Sequence, residues 1–349
     1  MGKNLTNIPV SILDLANIIQ GDVSAGDAFR RSVEFSQHAE KLGYKRYWFA
    51  EHHNMESVAS SATAVLIGHI AQATSTIRVG SGGIMLPNHA PLVVAEQFGT
   101  LASLFPGRID LGLGRAPGTD QPTAYALRRN LNGDVEAFPN DVVELLQYLG
   151  PENKQGRVKA IPGMGTNVPV WLLGSSTFSA QLAARLGLPF AFASHFSPQQ
   201  LFAALQVYHA TFQPSDYLSA PYAMACINII AADTDEEAER LATSFYQLAL
   251  GLIRNTRRPL PPPADMDKIW SAEERAAVKQ MLYYSFVGSP DTLSSELKTF
   301  VDNTGVDELM VATHVYDKQA KIKSLELTSS LFLNSNVSRD YSGIEKSFQ

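Results

Sequence analysis

The chain has 349 residues, enough to bury a large core as one big α/β barrel or as two domains. No apolar run approaches the roughly 18 residues of a membrane span, and the N-terminus lacks a basic stretch followed by an apolar core, so a cytoplasmic protein with no membrane partner is expected. A net charge of −6 argues against a nucleic-acid partner, and the single cysteine, Cys226, excludes internal disulfides and cysteine-built metal cages.

Strand patterns at 10–15, 46–51, 77–85, 109–114, 168–174, 189–194, 223–231 and 306–313 alternate with helix patterns. The helices are expected at 27–42, 60–73, 91–104, 135–149, 177–186, 198–212, 235–250 and 318–333. Eight βα units in a chain of this length predict a (β/α)8 TIM barrel rather than an open doubly wound sheet. Insertions interrupt it before strand 5, at 150–167, and between strands 7 and 8, at 255–284, with a further helix over 289–303. Long loops of this kind are often lids or binding loops. One domain over 1–334 and a polar tail over 335–349 are expected.

His38, His69 and His209 fall inside helix patterns, whereas His52, His53, His89, His195 and His314 fall at or just past the C-terminal ends of strands two, two, three, six and eight. That rim is where barrels place their chemistry. A single histidine there is more often a loop cap than a catalyst, but five on one rim point to a site. A metal centre is the first alternative. Adjacent residues on a strand face opposite ways, so His52 and His53 do not enter one pocket together. Carboxylates near the rim are few, and neither H-x-H nor H-E-x-x-H spacing occurs, so no metal is expected.

The third strand carries Gly80, Gly82 and Gly83, which serve either tight packing or a ligand lying flat on the backbone. The fourth ends Gly112-Leu113-Gly114-Arg115-Ala116-Pro117-Gly118. Pro117 breaks the dinucleotide fingerprint, so a Rossmann reading fails. Arg115 is a permanent cation suited to phosphate or carboxylate, or to a plain surface ion pair. The fifth strand runs through Gly174-Ser175-Ser176-Thr177-Phe178-Ser179 directly into a helix. Free N–H groups and hydroxyls there make an anion site, though one serine suffices for ordinary capping.

In chain order, the segments Tyr47-Trp48-Phe49-Ala50-Glu51-His52-His53, Gly82 to Pro91, Ala95-Glu96-Gln97, Phe105 to Arg115, Gly174-Ser175-Ser176 and Gly187-Leu188-Pro189 resemble the bacterial luciferase-like flavin-dependent monooxygenases. The likeness runs over 9–330. It implies a TIM barrel that takes reduced FMN at its mouth and uses O2 to oxygenate a small organic substrate such as an aldehyde or ketone. By position it makes His52 the catalytic histidine and Gly82–Gly83 a non-prolyl cis peptide behind the flavin ring. Arg115, Ser175, Ser176 and Ser179, with Gly174 in the turn, match phosphate contacts, and Arg128 or Arg129 offers a second cation. Glu51, Ala193 and Ser194 are implied to flank the ring, with His53 in support of His52. The reactive cysteine of true luciferases is Gly114 here, which favours oxygenation over light emission. With no nicotinamide motif, a separate flavin reductase is the expected source of reduced FMN. Small residues along the second helix (Ala59, Ser60, Ala62, Ala64, Gly68 and Ala71) are expected to bury a homodimer face. Two alternatives stand: an F420-dependent oxidoreductase moving hydride on the same barrel, and a non-catalytic flavin-binding protein.

Overall fold

Short apolar runs flanked by helix-forming segments fold into strands buried on both faces, as parallel sheets require. The computed structural model describes residues 3–116, 119–127 and 135–332. Its strands are β1 (Val10–Asp14), β2 (Arg46–Phe49), β3 (Arg78–Met85), β4 (Ile109–Gly114), β5 (Val170–Gly174), β6 (Phe190–Phe192), β7 (Ala223–Ala231), β8 (Ser285–Gly288) and β9 (Glu308–Ala312). All pairings are parallel, and the order β1-β2-β3-β4-β5-β6-β7-β9 returns to β1, so eight strands close a barrel. The extra strand β8 pairs with the end of β7 alone, from Asn228 to Ala231.

Around the barrel lie α1 (Ala25–Lys41), α2 (Thr63–Ala73), α3 (Pro91–Leu104), α4 (Gln121–Leu127), α5 (Phe138–Leu149), α6 (Thr177–Leu186), α7 (Leu201–Thr211), α8 (Asp235–Ile253), α9 (Ala272–Met281), α10 (Pro290–Thr304) and α11 (Lys318–Phe332). Local signals set several of their ends. Capping boxes open α1 (Ser24 with Asp27) and α9 (Ser271 with Glu274), and the left-handed Gly187 and Gly305 close α6 and α10.

The TIM barrel and its eight strands match the expectation, strand for strand, with β9 in the place of the predicted eighth. Three elements were not anticipated: the short helix α4 after β4, strand β8, and α9 inside the 255–284 insertion. That insertion is tied to the barrel: Leu260 exchanges backbone hydrogen bonds with Ile18 and Gln20, each 2.8 Å, and Val278 of α9 is wholly buried beneath α8. The insertion before β5 docks backbone to backbone, because a side chain at Gly99 would meet the Gly163 Cα at 2.2 Å. The predicted tail lies outside the described residues.

Alternation along the strands sorts the core into two sets. Tyr47, Phe49, Val79, Leu111, Val170 and Leu309 face the helices, while Leu13, Trp48, Ala50, Trp171, Ala191, Met224, Cys226, Met310 and Ala312 fill the barrel. The N-terminal end of the interior is plugged by charge. Arg46 donates to Asp110 at 2.7 Å and to Glu308 at 2.9 Å, and Glu308 also accepts from Ser11 and Tyr222. Arg78 and the Trp48 indole complete Asp110. Burial opposes charge on Arg46, Asp110 and Glu308, yet the opposite neighbours win, raising the arginine, lowering Glu308 and holding Asp110 at about 2. The Arg46 guanidinium also lies 4.8 Å from the Trp171 ring, which meets Trp48 edge-on at 5.3 Å. The plug therefore ends in an aromatic floor.

Removing one partner of a buried ion network strands the others, at a cost of about 3–5 kcal/mol. Arg46→Met is predicted to lose that much stability in urea unfolding at neutral pH; a midpoint equal to wild type would contradict the role given to the plug.

Candidate active site

Above the Trp48–Trp171 floor the inward positions turn small: Ala50, Gly82, Ala193 and Ala312. The three glycines of β3 all stand where a side chain would collide. A Cβ at Gly80 would strike Asp110 O at 2.6 Å and the Trp48 indole nitrogen at 2.8 Å, and one at Gly83 would strike Gly112 O at 2.7 Å. A Cβ at Gly82 would strike Leu13 Cδ1 at 2.7 Å and crowd the Trp48 ring at 3.3 Å, so packing demands glycine there as well. Gly82 is half-buried at the mouth, the Gly82–Gly83 peptide is cis, and the pairing with β4 shifts register between Ser81 and Ile84. A bare backbone surface results, of the kind a flat ring needs.

The five rim histidines fall into two groups. Trp48, Ala50 and His52 continue the inward face of β2, and Glu51 and His53 fall on the other. Glu51 is 1% exposed, and its Oε1 accepts from both His53 Nε2 and His89 Nε2 at 2.9 Å, while Oε2 accepts from Met85 N at 3.1 Å. One carboxylate thus staples the end of β2 to the end of β3. Burial alone would raise its pKa; the bonds from the two histidines outweigh that and hold it at about 2. The Thr119 hydroxyl donates to His53 O at 3.2 Å and the Asn54 amide to Asp120, so the loop after β4 is fastened to the same point. His52, between two clamped residues, belongs with the other group. Burial, with the charges of His314 and His52 acting in the same direction, pushes His195 down to about 3.

Across the mouth, Arg115 lies with its guanidinium 4.1 Å from the Phe178 ring in the first turn of α6. Ser176 is the residue before that helix, and its side chain makes no capping hydrogen bond, so ordinary capping does not account for it. Gly174 lets the strand turn tightly into the helix, since a Cβ there would lie 2.6 Å from the Ser179 Cβ. Ser179 is 3% exposed. The structure therefore gathers Arg115, Gly174, Ser175, Ser176 and Ser179 at one helix N-terminus, a ready anion cradle.

Other predicted residues sit differently. The Glu51 carboxylate is fully engaged by His53, His89 and Met85 N rather than left open to a ring. Ser194 is wholly buried with its hydroxyl 2.5 Å from Cys226 O, whereas Ala193 remains partly open. Arg128 and Arg129 lie outside the described residues. The small-residue stripe of α2 does not form one exposed face: Ser60 and Ala71 are buried and Gly68 packs toward Leu101. Among the described residues, no three His, Cys, Asp or Glu side chains are grouped to hold a metal ion, and no helix is long and apolar enough to cross a membrane. Sequence reasoning passed over Asn228, whose amide joins β6 and β8 by donating to His195 O and Ser285 Oγ. Its only signal was a polar side chain in the apolar run Ala223–Ala231.

A family model described as luciferase-like monooxygenase matches residues 9–308. The chain belongs to that family. A luciferase-like monooxygenase of Escherichia coli K12 is 54% identical over 321 residues, spanning 92% of this chain and 96% of its own. The crystal structure of apo-MsnO8 is 34% identical with a TM-score of 0.87, covering 93% of this chain and 98% of that one. The fold alone is shared with the FMN-bound oxygenating constituent of 3,6-diketocamphane monooxygenase from Pseudomonas putida, at 19% identity and a TM-score of 0.68, covering 93% and 97%. Family membership makes the luciferase-like protein an oxidoreductase.

The Glu51 clamp has a pH signature. A carboxylate whose folded pKa is depressed contributes stability above its unfolded value and loses it as pH falls. At about 1.4 kcal/mol per tenfold of proton affinity, a fall from 4.5 to about 2 amounts to roughly 3 kcal/mol. Glu51→Gln is predicted to be less stable than wild type by about that amount at pH 7, with the gap closing between roughly pH 4.5 and 2. Urea unfolding at several pH values measures it, and a gap that does not depend on pH would refute the clamp.

Proposed function

We propose that this protein is a flavin-dependent monooxygenase that uses reduced FMN and O2 to oxygenate a small organic molecule, with aldehydes and ketones as the first candidates. The observation that carries the reading is Arg115 stacked on Phe178 beside the uncapped start of α6, where a phosphate meets a fixed cation, free backbone N–H groups and the Ser176 hydroxyl. The half-buried Gly82 surface beside it suits the ring. When bound, reduced FMN supplies the electrons that divide O2, one oxygen atom passing to the substrate and the other leaving as water.

The protein's own share is placement and proton handling. His52 stands on the inward face of the mouth as the general acid/base, a role suited to an imidazole near neutral pH. Glu51, through His53, His89 and Met85 N, holds the strand end that carries it. Reduced flavin comes from a separate reductase in the cytoplasm. The deazaflavin F420 is the rival cofactor, since an F420-dependent secondary alcohol dehydrogenase shares the fold.

Titrating the apo-protein with FMN and with F420 decides between them, with micromolar FMN binding expected; binding of F420 alone would overturn the FMN reading. Arg115→Ala should weaken FMN binding at least about tenfold, the loss of one charge-assisted contact. His52→Ala should leave FMN affinity nearly unchanged and lower substrate-dependent oxygen uptake by about 10²–10⁴-fold; unaltered turnover would remove His52 from the mechanism.

A second copy of the chain is proposed to cover the exposed apolar side chains Val65 on α2 and Val93 and Leu104 on α3, which are 72%, 45% and 65% exposed. Light scattering should read about twice the 38.0 kDa chain mass; a monomeric mass would sink the homodimer.

A further inference from the structure

Three side-chain atoms on one wall of the mouth have no hydrogen-bond partner among the described residues: His195 Nδ1, Asn228 Oδ1 and His314 Nδ1. Native proteins leave few such groups, because each costs about 1–3 kcal/mol when buried without a partner. Buried polar atoms of this kind also occur singly elsewhere among the described residues, at Ser60, Gln155, Ser244 and Thr328, but these three fall together. Around the barrel β7 lies between β6 and β9, and the three residues stand after β6, on β7 and after β9. Asn228 extends the inward series Met224, Cys226, and His314 extends Met310, Ala312. They are 2% and 8% exposed.

The chemistry of the leftover atoms is defined. Asn228 Nδ2 donates to His195 O at 2.7 Å and to Ser285 Oγ at 2.9 Å. A carbonyl only accepts, so the amide orientation is forced and Oδ1 is an unused acceptor. Packing, not hydrogen bonding, holds the two imidazoles. His314 stacks on Phe245 with centroids 4.6 Å apart, and His195 meets Phe196 edge-on at 4.7 Å. Each neutral ring offers its Nδ1 as donor or acceptor, according to tautomer.

We propose that His195, Asn228 and His314 form the substrate-binding wall of the mouth, and that they take an uncharged hydrogen-bonding head group, such as a ketone, amide or hydroxyl, on an otherwise apolar molecule. The proposal deepens the oxygenase reading and rests on it. The cofactor-matched groups Gly82, Gly83, Arg115, Ser175 and Ser176 lie along β3–β5, and Ala193 at the end of β6 is matched to the edge of the ring, so the wall from His195 through β7 to β9 is left for the substrate. The charge of His52 reaches His195, so a head group on this wall faces the proton-handling residue.

The wall selects against charge. Burial pushes both imidazoles down to about 3, so they are neutral at physiological pH; the charges that reach His314 are Lys321 and Asp14, of opposite sign. A carboxylate head would find no cation among the three residues and would face the Asn228 carbonyl oxygen. An ammonium would be desolvated with no counter-ion. Water can serve the three atoms before substrate arrives; an amide or hydroxyl head group replaces its bonds to all of them, whereas a ketone accepts from an imidazole Nδ1–H and leaves Asn228 Oδ1 to water.

Saturation-transfer NMR at neutral pH, with and without FMN, tests this using hexan-2-one, hexanamide, hexanoate and hexylammonium as probes. The neutral pair should bind at least about tenfold tighter than the charged pair, the margin a site built to hydrogen-bond its ligand readily gives. His314→Phe, which keeps a ring on Phe245, should abolish the preference and leave FMN affinity unchanged. Asn228→Leu should lower the advantage of hexanamide, which donates to Oδ1, and leave that of hexan-2-one, which only accepts; it also cuts the tie between β6 and β8, so His195→Phe serves as the second variant if that protein does not fold. Equal or tighter binding of the charged probes, no binding of any probe at millimolar concentration, or a preference that survives His314→Phe overturns the proposal. A fall in FMN affinity in His314→Phe also overturns it, since the wall would then belong to the cofactor. If FMN itself fails to bind wild type, the oxygenase reading falls, and the probes measured without FMN still decide the wall.

Discussion

Everything at the open end of this barrel depends on how the other end is closed. Arg46 bridges Asp110 and Glu308, residues 64 and 262 positions away, and so binds β2 to β4 and β9 through one guanidinium. A buried ion network of this kind is weak as a source of net stability against a well-packed apolar alternative. Its value here is geometric. The guanidinium needs both carboxylates to be tolerated in the interior, and its flat face supports Trp171, which supports Trp48. With the bottom filled by charge and the middle by indoles, the remaining space lies above, where Ala50, Gly82, Ala193 and Ala312 leave it open.

The rim is organised by the two-residue period of β2. Glu51 and His53 face one way and His52 the other, so one short segment supplies both an imidazole for the mouth and the means of fixing it. Glu51 engages both of its oxygens, Oε1 with His53 and His89 and Oε2 with Met85 N. A carboxylate so committed is a poor ligand for anything arriving from solvent. It is well suited to hold three pieces of backbone at the right separation. The opening impression of five equivalent histidines therefore gives way to a clamped pair and a facing trio.

The barrel was legible in the sequence because apolar runs, helix periods and their alternation are local properties, and each was printed within a few dozen residues. The candidate phosphate cradle was legible for a similar reason: glycine, serines and Arg115 fall at ends of strands whose positions the pattern already gave. What escaped was set by distant partners. Arg46 and Glu308 look like charged residues at the start of strands, and nothing local says that they meet. Gly80 and Gly82 look alike in a glycine-rich strand, and only distant partners show what each one meets, Asp110 and the Trp48 indole nitrogen at Gly80, Leu13 and the Trp48 ring at Gly82. Strand β8 is four residues without strong alternation, recruited by the free edge of β7 beyond the reach of β6. Asn228 sits where that edge changes neighbour, so its amide has two tasks on the outside and one acceptor left for the inside.

That division has a consequence for how such a barrel changes specificity. A phosphate and a flat ring call for a cation, helix N–H groups and bare backbone, and β3 to β5 supply these. The β6–β7–β9 side carries no such features among its inward residues; it carries neutral donors and acceptors held by Phe196, Phe245 and the strand edge. A substitution on that side alters which head group is matched without touching the anion cradle, because the two sets share no side chain. A substitution at Arg115 or Gly82 has no equivalent freedom, since one cation and one bare surface serve any substrate alike. On physical grounds the second half of the chain is therefore where ligand preference can diverge while the anion cradle and the bare backbone of β3 are kept.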